Sequence, residues 1–307
     1  TNADELMDKA ESEIFALSQR HLSKSFILVK DALAESFDRL DELHKQGEGL
    51  RGVPTGFKDL DDSLAGMQKS NLLILASRPG LGKTSLSLGI AQNLAVKYKR
   101  PVGFFSLEMS REELVDRLLV AQADIDAWKL KTGKLGEEDF TKLSNAMGEL
   151  AEAPLFIDDT PALSILEMRT KARRLQVEHG LDLLVVDYLQ LARSRQLENR
   201  VQEVSEISQG LKNLARELKV PVLALSQLNR AVETRGGQKR PQLSDLRESG
   251  SIEMDADVVM FLWREDEENV ENINLEIAKH RNGPLKSIQL FFKGDRIKFY
   301  GRETKRG

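Results

Sequence analysis

The 307-residue chain contains no cysteine and only four histidines. Without cysteine, disulfide frameworks, thiolate zinc sites and a cysteine nucleophile are all excluded, and the composition fits a reducing cytosol. Four scattered histidines also argue against a histidine-based metal centre. The chain lacks any apolar run near the roughly 20 residues that span a bilayer, which excludes an integral membrane protein.

Neither sign of charge dominates the whole chain. Lys and Arg number 45 against 49 Asp and Glu, a net charge of −4, which argues against a uniformly basic protein that coats DNA. The distribution is uneven, because residues 1–50 carry eleven acidic and six basic side chains whereas residues 279–307 carry nine basic and two acidic. The basic end is either an ordinary solvated surface or a contact for an anion such as nucleic acid.

Residues 1–50 have the apolar spacing of two amphipathic helices. The apolar positions are Leu6, Ala10, Ile14 and Leu17 in the first helix, and Val29, Leu33, Phe37 and Leu40 in the second. The stripe of the first helix needs another surface to cover it, either the rest of this chain or a neighbouring copy. A glycine-rich stretch over 47–56 then breaks the helical pattern and indicates a loop.

From residue 71 onward, short apolar runs alternate with longer helical patterns. The runs cover 72–76, 102–105, 155–157, 183–186, 222–225 and 258–263. Continuous apolar runs of this kind are typical of strands buried on both faces of a mostly parallel sheet. Two further runs, 273–280 and 287–293, flank Asn282-Gly283, which is a hairpin signal. The sequence therefore predicts an α/β fold whose parallel sheet ends in an antiparallel extension.

A phosphate-binding loop is the sharpest motif in the chain. Its residues are Ser77, Arg78, Pro79, Gly80, Leu81, Gly82, Lys83, Thr84 and Ser85. An apolar strand precedes the loop and a helical pattern over 84–98 follows it, which is the context that such a loop requires. Backbone N–H groups would wrap the phosphates, Lys83 would reach the β- and γ-phosphates, and the Thr84 hydroxyl would bind Mg²⁺. Ser77 stands where the motif usually has its first glycine, so we expect a tighter conformational demand there.

Three polar residues follow predicted strands at the same sheet edge as the loop. Asp187 ends an apolar strand and is either a turn residue or the carboxylate that holds a Mg²⁺-bound water. Glu108 precedes a capping box over 110–113 that does not need it, so it is either an exposed residue or a carboxylate that polarises the attacking water. Gln227 is either a routine polar residue or an amide that senses the γ-phosphate.

Basic residues define two further candidate contacts. Lys279 and Arg281 are spaced to project from one face of a strand, with His280 on the other face. They either keep an edge strand soluble or reach a neighbour's nucleotide, as arginines supplied in trans do.

A second basic stretch, 229–247, has five basic and two acidic residues, no aromatic residue and no evident secondary structure. Arg247 with nearby backbone N–H groups would hold polynucleotide phosphates, and Gly250 would allow close approach. Such contacts would be to the backbone and largely blind to sequence. The loop 192–200 is a weaker candidate of the same type.

Seven motifs occur together in the order typical of DnaB-type replicative helicases. They cover 52–57, 77–84, 106–109, 186–191, 226–230, 245–257 and 278–284. The chain resembles this family over essentially its whole length. It departs from the family pattern at Ser77 and at Ser70-Asn71, where the family usually has glycine followed by an acidic residue. The family's N-terminal collar domain has no counterpart here, so we expect the motor part of a longer protein.

The resemblance implies a RecA-like core that forms a homo-hexameric ring around single-stranded DNA and uses ATP, or a related nucleotide, with Mg²⁺. It implies a linker helix over 1–22 that docks on the adjacent subunit, a helical lead-in over 23–50 and the motor domain over 51–307. Travel would be 5′ to 3′, in a cytoplasmic replisome of a bacterium or phage, with primase and a helicase loader as partners and no membrane association.

Roles transfer by matching motif. Lys83 and Thr84 would bind phosphate and metal, Asp187 would position Mg²⁺, Glu108 would be the catalytic base and Gln227 the γ-phosphate sensor. Lys279 and Arg281 would act in trans, and Arg247, Glu248 and Gly250 would grip the DNA backbone. The charge of Glu248 suits a phosphate poorly, so its role would run through its backbone N–H.

Two other classes share parts of this pattern. A RecA-type recombinase has the same core and strand-edge chemistry but forms open filaments. A small-molecule P-loop kinase would use the stretch 229–247 as a lid and would turn over without regard to DNA. The predicted linker helix and the Lys279/Arg281 hairpin favour the ring helicase.

Overall fold

The computed structural model describes residues 28–30, 33, 37, 50–192, 200–229, 240–266 and 268–302, without the side chains of residues 200 and 247–251. By its internal contacts the chain separates into two units, Thr1–Gly49 and Leu50–Gly307. The predicted linker helix over 1–22 lies outside the described residues. In the first unit, Val29, Leu33 and Phe37 are helical and each is more than 60% exposed, at 72%, 61% and 71%.

The second unit is an alternation of helices and strands. The helices are α1 (Lys58–Leu64), α2 (Lys83–Gln92, continued by a π-helical turn over Asn93–Lys97), α3 (Arg111–Ala123), α4 (Ala127–Thr132), α5 (Glu137–Ala151), α6 (Ile165–His179), α7 (Arg200–Leu218) and α8 (Gly250–Asp255). The strands are β1 (Leu72–Ser77), β2 (Val102–Ser106), β3 (Leu155–Asp158), β4 (Leu183–Asp187), β5 (Val222–Gln227), β6 (Val258–Trp263), β7 (Asn272–His280), β8 (Lys286–Lys293) and β9 (Lys298–Tyr300). Short 3₁₀ helices cover Leu189–Leu191, Leu243–Ser249 and Gly294–Arg296.

All these strands belong to one sheet in the order β3-β2-β4-β5-β1-β6-β7-β8-β9. The pairings from β3 through β6 are parallel, and those from β6 through β9 are antiparallel. The Asn282-Gly283 turn joins β7 and β8. The predicted parallel sheet with an antiparallel extension is therefore confirmed.

Two apolar layers cover the sheet because neighbouring strand residues point to opposite faces. Leu73 and Leu75 of β1 belong to the layer that includes α1, α2 and α3, whereas Leu72 and Ile74 belong to the layer that includes α6, α7 and α8. Every residue of β1, β2, β4 and β6 is buried. This double burial explains why these strands are continuous apolar runs in the sequence.

The predicted capping box starts α3. The Glu113 backbone N–H donates to Ser110 Oγ at 3.3 Å, and the Ser110 backbone N–H donates to Glu113 Oε2 at 3.1 Å. This cap satisfies N–H groups that the helix itself leaves free. It also fixes where the chain turns after β2, so that Glu108 lies in the short connection beside the phosphate loop.

The stretch 229–247 is not wholly irregular, which corrects the sequence-based expectation. Leu243–Ser249 form a 3₁₀ helix that leads directly into α8. The Asp245 carboxylate accepts a hydrogen bond from the Gln242 backbone N–H at 2.7 Å and so caps this turn. Short polar side chains favour such local caps over an open loop. Residues 230–239, and residues 193–199 of the other candidate loop, lie outside the described residues.

No helix in the part of the chain that the structure describes has both the length and the apolar character needed to cross a membrane.

Candidate functional site

The phosphate loop connects the end of β1 to the start of α2. Gly80 and Gly82 have φ values of +81° and +82°, in the left-handed region that L side chains rarely adopt. A Cβ on Gly82 would lie 2.9 Å from the Phe299 ring, whereas a Cβ on Gly80 would meet nothing within 4 Å. The two glycines are therefore required for different reasons: Gly80 for its backbone conformation, and Gly82 for conformation and space.

Ser77 carries no such demand, and our expectation of one was wrong. It is the last residue of β1, pairs with Gln227 and Leu262, and is not among the residues with positive φ. Its hydroxyl donates to the Arg78 carbonyl at 2.9 Å. The other departure from the family pattern does carry a demand, because Ser70 has a φ of +66°. A strand end accepts serine readily, whereas a left-handed turn favours glycine.

Lys83, Thr84 and Asp187 form a polar group at the carboxyl end of the parallel strands, in which Asp187 is buried and the other two are partly buried. Thr84 Oγ1 donates to Asp187 Oδ2 at 2.7 Å, and Lys83 Nζ lies 3.9 Å from Asp187 Oδ1. Lys83 Nζ also lies 4.5 Å from the centre of the Tyr188 ring. Burial lowers the pKa of Lys83, opposed by the charge of Asp187, and burial raises the pKa of Asp187, opposed by the charge of Lys83. Burial thus disfavours both charges until a further charged partner joins them.

Asp187 is the most deeply buried member of this group. Its side chain is 1% exposed, and Oδ1 is buried without a hydrogen-bond partner. The described residues contain no group of three or more His, Cys, Asp or Glu that would hold a metal alone. A hydroxyl and one buried carboxylate suit Mg²⁺, which usually takes one or two protein oxygens and completes its shell with water and phosphate. The residues present therefore fit that ion.

A cavity of about 340 Å³ opens beside this group. It is lined by Ser77, Arg78, Pro79, Gly80, Gly82, Lys83, Thr84, Ser85, Glu108 and Gln227, together with Met109, Arg117 and Phe292. Glu108 and Gln227 are exposed to it, so the polar residues predicted at this sheet edge are brought together. Leu81 instead packs against the apolar layer beneath.

Arg117, Phe292 and Met109 line the cavity although no pattern in the sequence assigns them to it. Arg117 lies within α3, and Phe292 comes from β8, far along the chain. No spacing rule connects these positions to the loop, so only the fold reveals them. Tyr188 and Met109 lie inside two of the seven sequence motifs, so their position beside Asp187 and Glu108 was the one indication that they belong to the site.

Lys279 and Arg281 lie at the opposite end of the parallel strands from this cavity. His280, the last residue of β7, pairs with Val258, the first residue of β6, whereas the phosphate loop follows the last residue of β1. Lys279 donates to the Glu253 carbonyl, and Arg281 Nη2 donates to the Met254 carbonyl at 2.5 Å.

Both side chains therefore reach the C-terminal end of α8, where the helix dipole favours cations. Arg281 Nη1 also lies 3.5 Å from Asp257 Oδ1. Burial lowers the pKa of Lys279, and the nearby Arg281 lowers it further. As the strand spacing predicts, the two cations share one side, while His280 turns toward Gly283.

The predicted DNA contacts are described only in their backbone. Arg247 and Glu248 lie in the 3₁₀ helix before α8, and Gly250 is the first residue of α8. Their side chains lie outside the described residues.

Comparison with known proteins assigns the family. The profile of the DnaB-like helicase C-terminal domain matches residues 52–301. The replicative DNA helicase DnaB of Geobacillus stearothermophilus is 50% identical over 309 residues, covering 98% of this chain and 68% of that protein. The chain belongs to the DnaB-like helicase family. The replicative DNA helicase DnaC of Bacillus subtilis is 48% identical with the same coverage.

Solved structures of DnaB-like helicases have the same fold. An ATPase domain superposes with a TM-score of 0.84 at 36% identity, covering 90% of this chain and 99% of that one. A DnaB-like replicative helicase studied with primase superposes with a TM-score of 0.82 at 34% identity, covering 96% and 71%. The chain is thus the nucleotide-using helicase domain of a DNA replication enzyme, built on a RecA-like sheet.

Proposed function

We propose that this DnaB-like domain is the motor of a homo-hexameric ring that hydrolyses ATP, moves 5′ to 3′ along single-stranded DNA and unwinds the duplex. One observation carries the proposal. The nucleotide cavity lies at the carboxyl ends of the parallel strands, whereas the Lys279/Arg281 pair lies at their amino ends. The cations of one subunit therefore lie away from its own cavity, which supports a ring in which the neighbouring subunit supplies them.

In the nucleotide site, the loop N–H groups and the N-terminus of α2 bind the phosphates, with Lys83 beside the β- and γ-phosphates. Thr84 and Asp187 would hold Mg²⁺. When bound, this ion neutralises charge on the phosphate oxygens. Bound phosphate and metal would add charged partners to the Lys83–Asp187 pair, whose charges burial disfavours.

Hydrolysis requires an oriented water. Glu108 is exposed at the cavity and carries no helix-capping duty, so it accepts the proton of the attacking water as general base. Gln227 contacts the γ-phosphate through its exposed carboxamide and reports its presence. Arg281 and Lys279 of the adjacent subunit stabilise the charge of the transferring group.

We propose that Arg247, Glu248 and Gly250 contact DNA. The first two lie just before α8, and Gly250 is its first residue. Arg247 pairs with backbone phosphate, Glu248 acts through its backbone N–H, and Gly250 allows close approach. Binding is therefore blind to sequence and weakens as salt rises.

The domain organisation and partners follow the family. The linker helix over 1–22, which would dock on the adjacent subunit, and the lead-in over 23–50 remain predictions from the family and fall largely outside the described residues, whereas 51–307 are proposed as the motor. A related DnaB-like helicase has been studied with primase, which supports primase as a partner here. A helicase loader and a cytoplasmic replisome complete the proposal.

Steady-state ATP hydrolysis with and without single-stranded DNA tests the proposal. We compare the wild type with Arg281→Ala and with Lys286→Ala, an exposed cation on the same hairpin that has no assigned role. DNA should stimulate the wild type and Lys286→Ala, and Arg281→Ala should lose about 10³-fold or more. Hydrolysis that is indifferent to DNA and to Arg281 would contradict a ring motor and favour a kinase.

A further inference from the structure

The side chain of Gln190 pairs with the backbone of Gln227. Gln190 Nε2 donates to the Gln227 carbonyl at 3.2 Å, and the Gln227 backbone N–H donates to Gln190 Oε1 at 3.4 Å. Gln190 Nε2 also donates to Ser226 Oγ at 2.8 Å. The carboxamide of Gln190 therefore satisfies the same two groups that a neighbouring strand would satisfy.

A side chain is needed there because the strand ladder stops short. Strands β4 and β5 pair only as far as Val186 with Ala224. On the other side of β5, the ladder with β1 continues to Ser77 opposite Gln227. Gln227 is thus held by strand pairing on the β1 side and by Gln190 on the β4 side.

The β1 side is further tied to the phosphate loop. Arg78 Nη1 donates to the Leu228 carbonyl at 2.8 Å, and the Leu228 backbone N–H donates to the Ser77 carbonyl at 3.0 Å. The backbone of Gln227 is therefore fixed between the phosphate loop and the segment that follows Asp187. Its own carboxamide remains exposed at the cavity.

Gln190 also stands where two candidate DNA loops begin. It lies in the 3₁₀ turn Leu189–Leu191, just before the loop 192–200, and Gln227 lies just before the stretch 229–247. Hydrogen bonds between Gln190 and Gln227 therefore join the two described segments that precede these stretches.

We propose that Gln190 is a positioning residue that aims Gln227 at the γ-phosphate. This inference rests on the proposed role of Gln227 as the γ-phosphate sensor. Gln190 itself is not among the residues that line the cavity. Losing it frees the β4 side of Gln227, so that the backbone carrying the sensor amide is no longer held on that side.

A double-mutant cycle tests the inference in the full chain with ATP and single-stranded DNA. The variants are Gln190→Ala, Gln227→Ala and the double substitution, with kcat and KM for ATP measured separately. Gln176→Ala is the control, because Gln176 Nε2 also donates to a backbone carbonyl, that of Leu218 at 2.8 Å, near the C-terminal end of α6 and outside the cavity lining. Unfolding midpoints of Gln190→Ala and Gln176→Ala show whether the two losses cost similar stability.

We expect Gln190→Ala to lower the DNA-stimulated kcat by about tenfold to a hundredfold, since a displacement of about 1 Å has costs of that size. KM should stay within about twofold because ground-state contacts are unchanged. The double variant should be no slower than Gln227→Ala alone, and Gln176→Ala should keep the wild-type kcat.

Two results would overturn the inference while leaving the sensor role intact. One is a slow Gln227→Ala beside a Gln190→Ala that matches Gln176→Ala, and the other is a double variant whose losses multiply. A wild-type rate for Gln227→Ala would reject the sensor assignment and, with it, the inference.

Discussion

Replacing Gly82 by alanine should cost more stability than replacing Gly80, although both have nearly the same backbone conformation. Each substitution forces an L side chain into the left-handed region, which costs about 1–2 kcal/mol. Only Gly82→Ala adds a steric cost, because its Cβ would lie 2.9 Å and 3.0 Å from two atoms of the Phe299 ring. That ring is 5% exposed and packs on Phe292 with centres 4.6 Å apart, so it has little room to move.

An extra methyl group in a packed site costs about 1–3 kcal/mol. Gly82→Ala should therefore lower the free energy of unfolding by at least about 1 kcal/mol more than Gly80→Ala does. Urea unfolding of both variants without nucleotide measures the difference, and Phe299→Leu in the Gly82→Ala background should recover part of it. Equal losses for the two glycines would refute the steric argument.

Further predictions concern the backbone departures and the C-terminal strand. Ser70→Gly should raise the free energy of unfolding by up to about 1 kcal/mol, since it relieves a left-handed serine, whereas Ser77→Gly should give no gain; urea midpoints measure both. Burial would raise the pKa of Asp124, but the 2.7 Å hydrogen bond from the Tyr300 hydroxyl and the nearby Lys298 hold it below its ordinary value. A lowered carboxyl pKa stabilises the fold above the unfolded pKa of about 4 and loses that contribution as pH falls through the folded value. Unfolding midpoints between pH 7 and pH 2 should thus show a smaller acid-dependent loss for Tyr300→Phe; an unchanged pH profile would contradict this reasoning.

Much of the fold follows from the sequence because burial on both faces leaves a direct signal. The six parallel strands are continuous apolar runs, and the Asn282-Gly283 pair predicts the antiparallel hairpin. The phosphate loop and the α3 capping box are equally local, since each is defined by neighbouring residues.

What escaped prediction depends on contacts between distant segments. Phe292 and Arg117 reach the cavity from β8 and α3, and only the completed sheet brings them there. Gln190 matters because the β4–β5 ladder ends early, a register detail that apolar spacing does not encode. The conformational demand that we expected at Ser77 is absent, because the family's usual residue at a position does not give the φ angle in this chain. The same comparison gave no sign that Ser70 has a positive φ.

We propose that each nucleotide site is completed by the neighbouring subunit. Mixing two variants, each expected to be inactive alone, tests this most directly. Lys83→Ala removes the phosphate contact of its own site, whereas Arg281→Ala removes the cation offered to the next site. Where an Arg281→Ala subunit takes its cation from a Lys83→Ala neighbour, one complete site forms. DNA-stimulated ATP hydrolysis by the mixture should therefore clearly exceed that of either variant alone. A mixture that stays at the residual rate of its parts would contradict action in trans.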